Sequence, residues 1–337
     1  MNRMQQLCCS LLCLAGLFAG APQTAEAATN CSAAITTINF GAVNTAGNTD
    51  ASATVTVTCN SLGLGALGSI YVRACLYLGT GSAGTSTSPR TMRNTFNDTL
   101  QYNVYQGTNF TTLWGNTAAT RIALDLSYPV VLLAGNGSTS RTFNARIPAQ
   151  TGLAAGAYES SFSNMHTELR YRYDEPVLIL GSTWPTSCES GGDNGAVAVR
   201  FPFTAIANVP NHCMFNTVTN LAFGNVAGLV SANQDQTSTI ALTCTKRTPW
   251  QLGLNNGQHA NGAVRRMRLG ASGSYVNYEL YRDATHTQRW GNALDSDTLR
   301  KTGTGSIQNE VVYGRVPSPQ TVPAGSYSDV ITVTVTF

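Results

Sequence analysis

Lysine is almost missing from this chain: of its 20 basic residues two are Lys and the other eighteen Arg, and charged residues make up only 11% of the sequence. The net charge of +3 is spread along the chain, with no basic block and no aromatic-interleaved basic stripe. That excludes the usual footprint of a nucleic-acid partner. Histidine is scarce too. His166, His212, His259 and His286 show no H-x-x-x-H spacing, and none sits in a cysteine cluster, so the common zinc-site patterns are missing. There is no G-x-S-x-G elbow. Carboxylates are few and scattered, and Asp295 and Asp297 fall in a polar loop where solvation explains them. Residues 63–68 spell G-x-G-x-x-G after a strand-like run. The following residues 70–78 read as another strand, and no acid stands about twenty positions on, so the dinucleotide context is absent. Acid–base catalysis needs positioned titratable groups. The expectation is a protein that is not an enzyme, with no catalytic residue, no cofactor and no metal.

Long apolar runs are also lacking, apart from residues 7–21. Arg3 precedes that run and Ala25, Glu26 and Ala27 follow it as an A-x-A site, so residues 1–27 read as a signal peptide. Cys8, Cys9 and Cys13 would leave with it. Cys31, Cys59, Cys75, Cys188, Cys213 and Cys244 would remain, and an even count in an exported chain implies disulfides rather than free buried thiols.

What the sequence has in abundance is repetition. Phe40 and Gly41, Met92 and Arg93, Tyr102 and Tyr105, the Trp114, Gly115, Asn116 triplet, and Gly156 with Tyr158 recur in order. Their partners are Phe223 and Gly224, Met267 and Arg268, Tyr278 and Tyr281, the Trp290, Gly291, Asn292 triplet, and Gly325 with Tyr327. The offset drifts from 183 at Phe40 and Phe223 to 169 at Tyr158 and Tyr327. Two copies of one fold follow. Within each copy, short β-branched alternating runs such as 53–58 and 328–337 are separated by Gly-, Ser- and Asn-rich turns. This predicts an all-β chain of two immunoglobulin-like β-sandwich domains in tandem. The domains are placed at 28–208 and 209–337, with a linker near 206–210. The repeat pairs Cys31 with Cys59 and Cys213 with Cys244, which leaves Cys75 for Cys188. Trp114, Trp290, Tyr158, Tyr327, Phe40 and Phe223 are expected to be packing anchors.

The copies differ in three apolar additions to the first. One is 61–69, another lies around 127–134, and the third is 175–185. Counted along a sandwich, all three fall at connections on one end. The expected surface is a set of apolar fingertips formed by Leu62, Leu64 and Leu67, by Val130, Val131, Leu132 and Leu133, and by Val177, Leu178, Ile179, Leu180 and Trp184. An exposed apolar cluster of that size marks a binding site, although short apolar runs also fit buried strands.

The second copy also stops about one strand early. The first continues through 195–204, which reads as a final strand, and the equivalent of Phe337 is placed at Glu168. A sandwich without its last strand is expected to expose a groove and an unpaired edge. Ile331, Val333, Val335 and Phe337 are the residues expected to receive an added strand by β-augmentation.

The Cys31, Phe40-Gly41 and Thr56-x-Thr58-Cys59 opening, the Tyr102-x-Val104-Tyr105 and Trp114-Gly115-Asn116 middle, and the Pro148 and Ala155-Gly156-x-Tyr158 ending resemble the Spore Coat Protein U domain. This is also the subunit module of archaic, Csu-type chaperone–usher pili. The resemblance implies a two-domain tip adhesin completed by donor-strand complementation. It further implies a periplasmic chaperone, an outer-membrane usher and a neighbouring pilin subunit as partners, and hydrophobic or abiotic surfaces as targets in attachment and biofilm formation. Export through the periplasm to the pilus tip would follow. With cleavage near Ala27, only Ala28, Thr29 and Asn30 precede Cys31, so the expected subunit accepts a strand without offering one. A structural spore-coat or matrix protein, and a secreted binding protein for a soluble ligand, are the alternatives.

Overall fold

The structure is a computed structural model, and it describes residues 28–62, 68–131, 134–176, 181–225 and 229–337. Alternation of apolar and polar residues sets its strands. In 49–62, the inward Ala51, Ala53, Val55, Val57 and Cys59 are buried while Ser52, Thr54, Thr56 and Thr58 point outward. This is the period-2 signature of a half-buried sheet.

The first half contains β1 (Ala28–Ile35), β2 (Ile38–Ala42), β3 (Thr49–Leu62), β4 (Gly68–Leu78), β5 (Arg90–Arg93), β6 (Thr99–Val104), β7 (Ile122–Val130), β8 (Ala134–Ile147), β9 (Gly156–Phe162), β10 (Thr167–Asp174), β11 (Asn194–Val199) and β12 (Phe203–Val209). They form an eight-stranded sheet in the order β1-β3-β8-β6-β5-β9-β12-β2 and a four-stranded sheet in the order β11-β10-β4-β7. The second half contains β13 (Cys213–Val218), β14 (Leu229–Val230), β15 (Gln234–Cys244), β16 (Pro249–Leu254), β17 (Arg265–Leu269), β18 (Tyr275–Tyr281), β19 (Leu299–Thr302), β20 (Ile307–Val316), β21 (Gln320–Thr321), β22 (Tyr327–Ser328) and β23 (Val333–Thr336). Its sheets are β13-β15-β20-β18-β17-β22, β19-β16-β23 and the pair β14-β21. The fold is all-β and immunoglobulin-like in both halves, with one buried core from Cys31 to Val209 and another from Cys213 to Val316.

Repeated residues hold both cores in the same way. Trp114 Nε1 donates to the Leu76 carbonyl and Trp290 Nε1 to the Leu252 carbonyl, each at 2.8 Å. Tyr158 and Tyr327 each donate to the carbonyl four residues back, Ala154 and Pro323, also at 2.8 Å. Among the described residues the disulfides are Cys31–Cys59, Cys75–Cys188 and Cys213–Cys244.

Three details depart from the sequence expectation. First, 195–204 is not one strand. The chain leaves β11, passes Arg200, Phe201 and Pro202, and enters β12 in the other sheet, because Pro202 cannot donate to a continuing ladder. Second, β12 runs to Val209 with Ala205, Ala207 and Val209 buried, so 206–209 is core strand and the link is only 210–212. Third, Val335 pairs with Leu252 as Leu169 pairs with Leu76. That makes Tyr171, not Glu168, the counterpart of Phe337. The described residues of the second half therefore lack counterparts of both β11 and β12.

Candidate functional site

In the first half, β12 closes the sandwich. It runs antiparallel to β9 and parallel to β2. Phe203, Ala205, Ala207 and Val209 point into the core, and Phe203 stacks on Phe162 with ring centroids 4.5 Å apart. Both flanks of this strand recur in the second half. Gly41 and Gly224 share a left-handed φ, +63° and +75°. Phe40 meets Tyr102 edge-on, as Phe223 meets Tyr278. The chain then turns through Tyr327 where the first half turns through Tyr158.

Between these second-half flanks lies a groove of about 890 Å³. Its floor is the core residues Val276, Tyr278, Leu280 and Val312, and its walls include Leu221, Phe223, Met267 and Tyr327. The wall residues are only half buried. Of the residues expected to receive a strand, Ile331 and Val333 line the groove. Val335 packs on the core outside it, and Phe337 is exposed and stacks on His212. The reason is that 328–337 is not one strand: β22 ends in one sheet and β23 begins in the other, as β9 and β10 do. Sequence reasoning missed Met267, Tyr278, Tyr327 and Asp329. Their signal was the repeat itself, since three of the four align with first-half core residues. Asp329 accepts from Gln258 N at 2.9 Å, His259 N at 3.2 Å and Tyr278 Oη at 2.7 Å. Burial, then the bond to Asp329, pushes the Tyr278 phenol well above its ordinary value.

The described flanks of the three additions meet at the far end of the first half. Leu62 pairs with Ala134, and Gly68 with Val130. A side chain at Gly68 would collide with Pro176, and Ser182 Oγ donates to the Ser69 carbonyl. Leu62 and Val131 are 69% and 65% exposed. Val130 is a correction: at 2% exposure it belongs to the core, since it ends β7 on the inward phase and Val131 takes the outward one. Trp184 is 40% exposed but lies beside Tyr71 and Arg73 on the outer face of β4, about 10 Å below the strand's end at ~3.3 Å per residue. Leu64, Leu67, Leu132, Leu133, Val177, Leu178, Ile179 and Leu180 lie outside the described residues. At the base of the third addition, Glu175 accepts from Thr29 Oγ1 at 2.6 Å, and burial raises its pKa. Residues 182–193 then cross the outer face of the four-stranded sheet. They are tied down by Cys75–Cys188, by Arg73 to the Thr186 carbonyl, and by Tyr77 to Glu189.

The opposite end of the first half meets the second. Asp98, whose side chain is 12% exposed, accepts from Lys246 Nζ at 2.9 Å and Arg247 Nε at 2.5 Å. Arg247 also lies over Phe96, and Ala155 N donates to the Lys246 carbonyl. The Arg247 bond, against an opposing contribution from burial, holds the Asp98 carboxyl well below its usual value of 3.8. A depressed carboxyl stabilises the junction fully above the unfolded value and loses that contribution as pH falls through the folded one. Asp98→Asn is therefore expected to let the halves reorient at neutral pH, read by residual dipolar couplings. It should cost no more than about 1 kcal/mol, because both cations are partly solvated. Unchanged couplings would contradict the role of this contact.

The sequence profile of the Spore Coat Protein U domain matches residues 20–163 and 199–334. The chain belongs to the Spore Coat Protein U domain family. In this Spore Coat Protein U chain the stretch between the matched segments contains β10, the third addition and most of β11. Protein U of Myxococcus xanthus is 36% identical over 107 residues, which cover 30% of this chain and 59% of that relative's length. Among solved structures, the CsuC–CsuE chaperone–tip adhesion subunit pre-assembly complex from archaic chaperone-usher Csu pili of Acinetobacter baumannii is similar over 91% of this chain and 100% of that one. Its TM-score is 0.47 and its identity 16%. A chaperone–tip adhesin complex of CFA/I fimbriae is similar over 89% of this chain and 96% of that one, with a TM-score of 0.33 and 10% identity. Among the described residues, no group of three or more His, Cys, Asp or Glu is placed to hold a metal ion.

Proposed function

We propose that the chain is a non-enzymatic adhesin at the tip of a chaperone–usher pilus, exported through the periplasm. The first half binds apolar or abiotic surfaces through its distal end and so supports attachment and biofilm formation. The second half joins the fibre by accepting a strand from the neighbouring subunit, after a periplasmic chaperone has protected the groove and an outer-membrane usher has exchanged it. The observation that carries this reading is the groove itself, which lies where β12 completes the first half. Membership of the Spore Coat Protein U family supports the subunit role. It equally favours a second reading, a coat or matrix protein assembled by the same strand exchange.

The surface reading rests on Leu62 and Val131, exposed at the end where the described flanks of the three additions meet. Burying four apolar side chains at ~1.5–3 kcal/mol each gives about 6–12 kcal/mol gross. Association costs of ~4–15 kcal/mol offset much of this, so binding through many fibres would raise the effective affinity. Replacing Leu64, Leu132 and Leu178 together with Ser is expected to lower adhesion to plastic at least about tenfold, a loss of ~1.4 kcal/mol or more, with normal piliation. Unchanged adhesion on normally piliated cells would reject the surface assignment and favour the coat reading.

A further inference from the structure

One buried polar position differs between the filled site of the first half and the groove of the second, and it bears on which strand can enter; the inference rests on the strand-acceptor reading above. In the first half, Ser160 of β9 stands directly opposite Ala205 of β12, and both are fully buried. Asp329 holds the corresponding place in the second half. Two residues earlier stands the tyrosine that bonds back to its own turn, Tyr158 or Tyr327. A left-handed glycine, Gly81 or Gly257, packs over Ser160 or Asp329 respectively. Tyr278, the counterpart of Tyr102, donates to Asp329.

Asp329 already accepts three hydrogen bonds of the roughly four a carboxylate can take. A strand that closed the groove as β12 closes the first half would strip its remaining water. The residue opposite would then face a side chain bulkier than Ser160, at a fully buried position that Ala205 fills beside the serine in the first half. It would also face a negative charge, and two carboxylates that close cannot both stay ionised.

We propose that Asp329 is a specificity-determining residue of the groove. It admits a strand with glycine, alanine or serine opposite it and rejects one with an acidic or bulky residue there. The β12 template gives the rest of the pattern. A large side chain stands two positions earlier, as Phe203 does, against Ile331. A second small residue stands two positions later, as Ala207 does, against Tyr327. The strand runs antiparallel to 327–331 and parallel to 222–225.

The probe is a synthetic peptide of residues 201–210, compared with its Ala205→Asp and Ala205→Lys forms, titrated calorimetrically into the full chain and into its Asp329→Asn variant. The wild-type chain is expected to bind the Asp form at least about 30-fold more weakly than the parent peptide. In Asp329→Asn that loss should shrink at least tenfold, a coupling of about 1.4 kcal/mol. The wild-type chain should also prefer the Lys form to the Asp form, a comparison that does not depend on how the variant folds. Equal binding of the Asp and Lys forms, or an equal loss in both chains, would overturn the proposal while leaving the acceptor reading intact. Failure of every peptide to bind would overturn the acceptor reading, and this inference with it.

Discussion

Arg90→Ala is expected to destabilise the first half by about 4 kcal/mol and to lower its melting temperature by on the order of 10 °C. The Arg90 side chain is fully buried. Its Nε donates to the Gly79 carbonyl at 2.8 Å, and one terminal nitrogen donates to the carbonyls of Leu78 at 3.0 Å and Trp114 at 2.6 Å. These are the ends of segments that do not otherwise share a ladder, so the guanidinium ties β5 to the end of β4 and to the tryptophan anchor. Burial lowers its pKa to about 10, still charged at neutral pH. Removing the side chain would leave three carbonyls without that donor and open a cavity. Lysine should rescue little, because it lacks the planar fork. Arg265 repeats the device on the carbonyls of Leu254, Asn255 and Trp290, with Glu279 added as a counter-charge. The control is Arg93→Ala, whose guanidinium, among the described residues, bonds the Ala83 carbonyl alone; it should shift melting by no more than about 2 °C. Differential scanning calorimetry of both variants checks the contrast, and equal shifts would contradict it.

The tandem sandwich was legible because aromatic anchors recur in the same order, at an offset that drifts only from 183 to 169, and strands alternate. Trp114 with Trp290 and Tyr158 with Tyr327 fall where an equivalent carbonyl waits in each copy. Other features were hidden for physical reasons. Val130 and Val131 read alike in sequence, yet the phase of β7 buries one and exposes the other. The stretch 195–204 reads as one strand, and only Pro202 hints that it changes sheet. Ile206 reads as linker in sequence because Ala, Asn and Pro surround it. Arg90 and Arg265 are two of eighteen arginines, and only their shared place in the repeat marks them. The contact of Asp98 with Lys246 and Arg247 joins residues nearly 150 positions apart that have no counterpart elsewhere in the repeat. Asp329 carries no sequence signal because it departs from the repeat, standing where the first copy has Ser160.

Filling the groove is expected to stabilise the second half more than any point substitution could. The β12 template inserts Phe203 and Val209 as large side chains, each worth about 1.5–3 kcal/mol when buried. It also supplies a new ladder partner to the Tyr327–Ile331 wall. Half-buried Leu221, Phe223 and Met267 would be covered at the same time. Carrying the strand on the same chain raises its effective concentration to the millimolar range. At about 100 times the dissociation constant, the gain is about 2.7 kcal/mol, or on the order of 10 °C in melting temperature.

The decisive measurement is the melting temperature of the second half in a chain carrying a copy of residues 203–209 after Phe337 on a flexible ten-residue linker. The comparison is the same fusion with the inward Phe, Ala, Ala and Val changed to Ser. The account predicts a rise of on the order of 10 °C for the native strand and none for the serine strand, with slowed amide exchange at Tyr327–Ile331 and 222–225. Equal melting of the two fusions would contradict the central claim that this groove is the socket for an added strand.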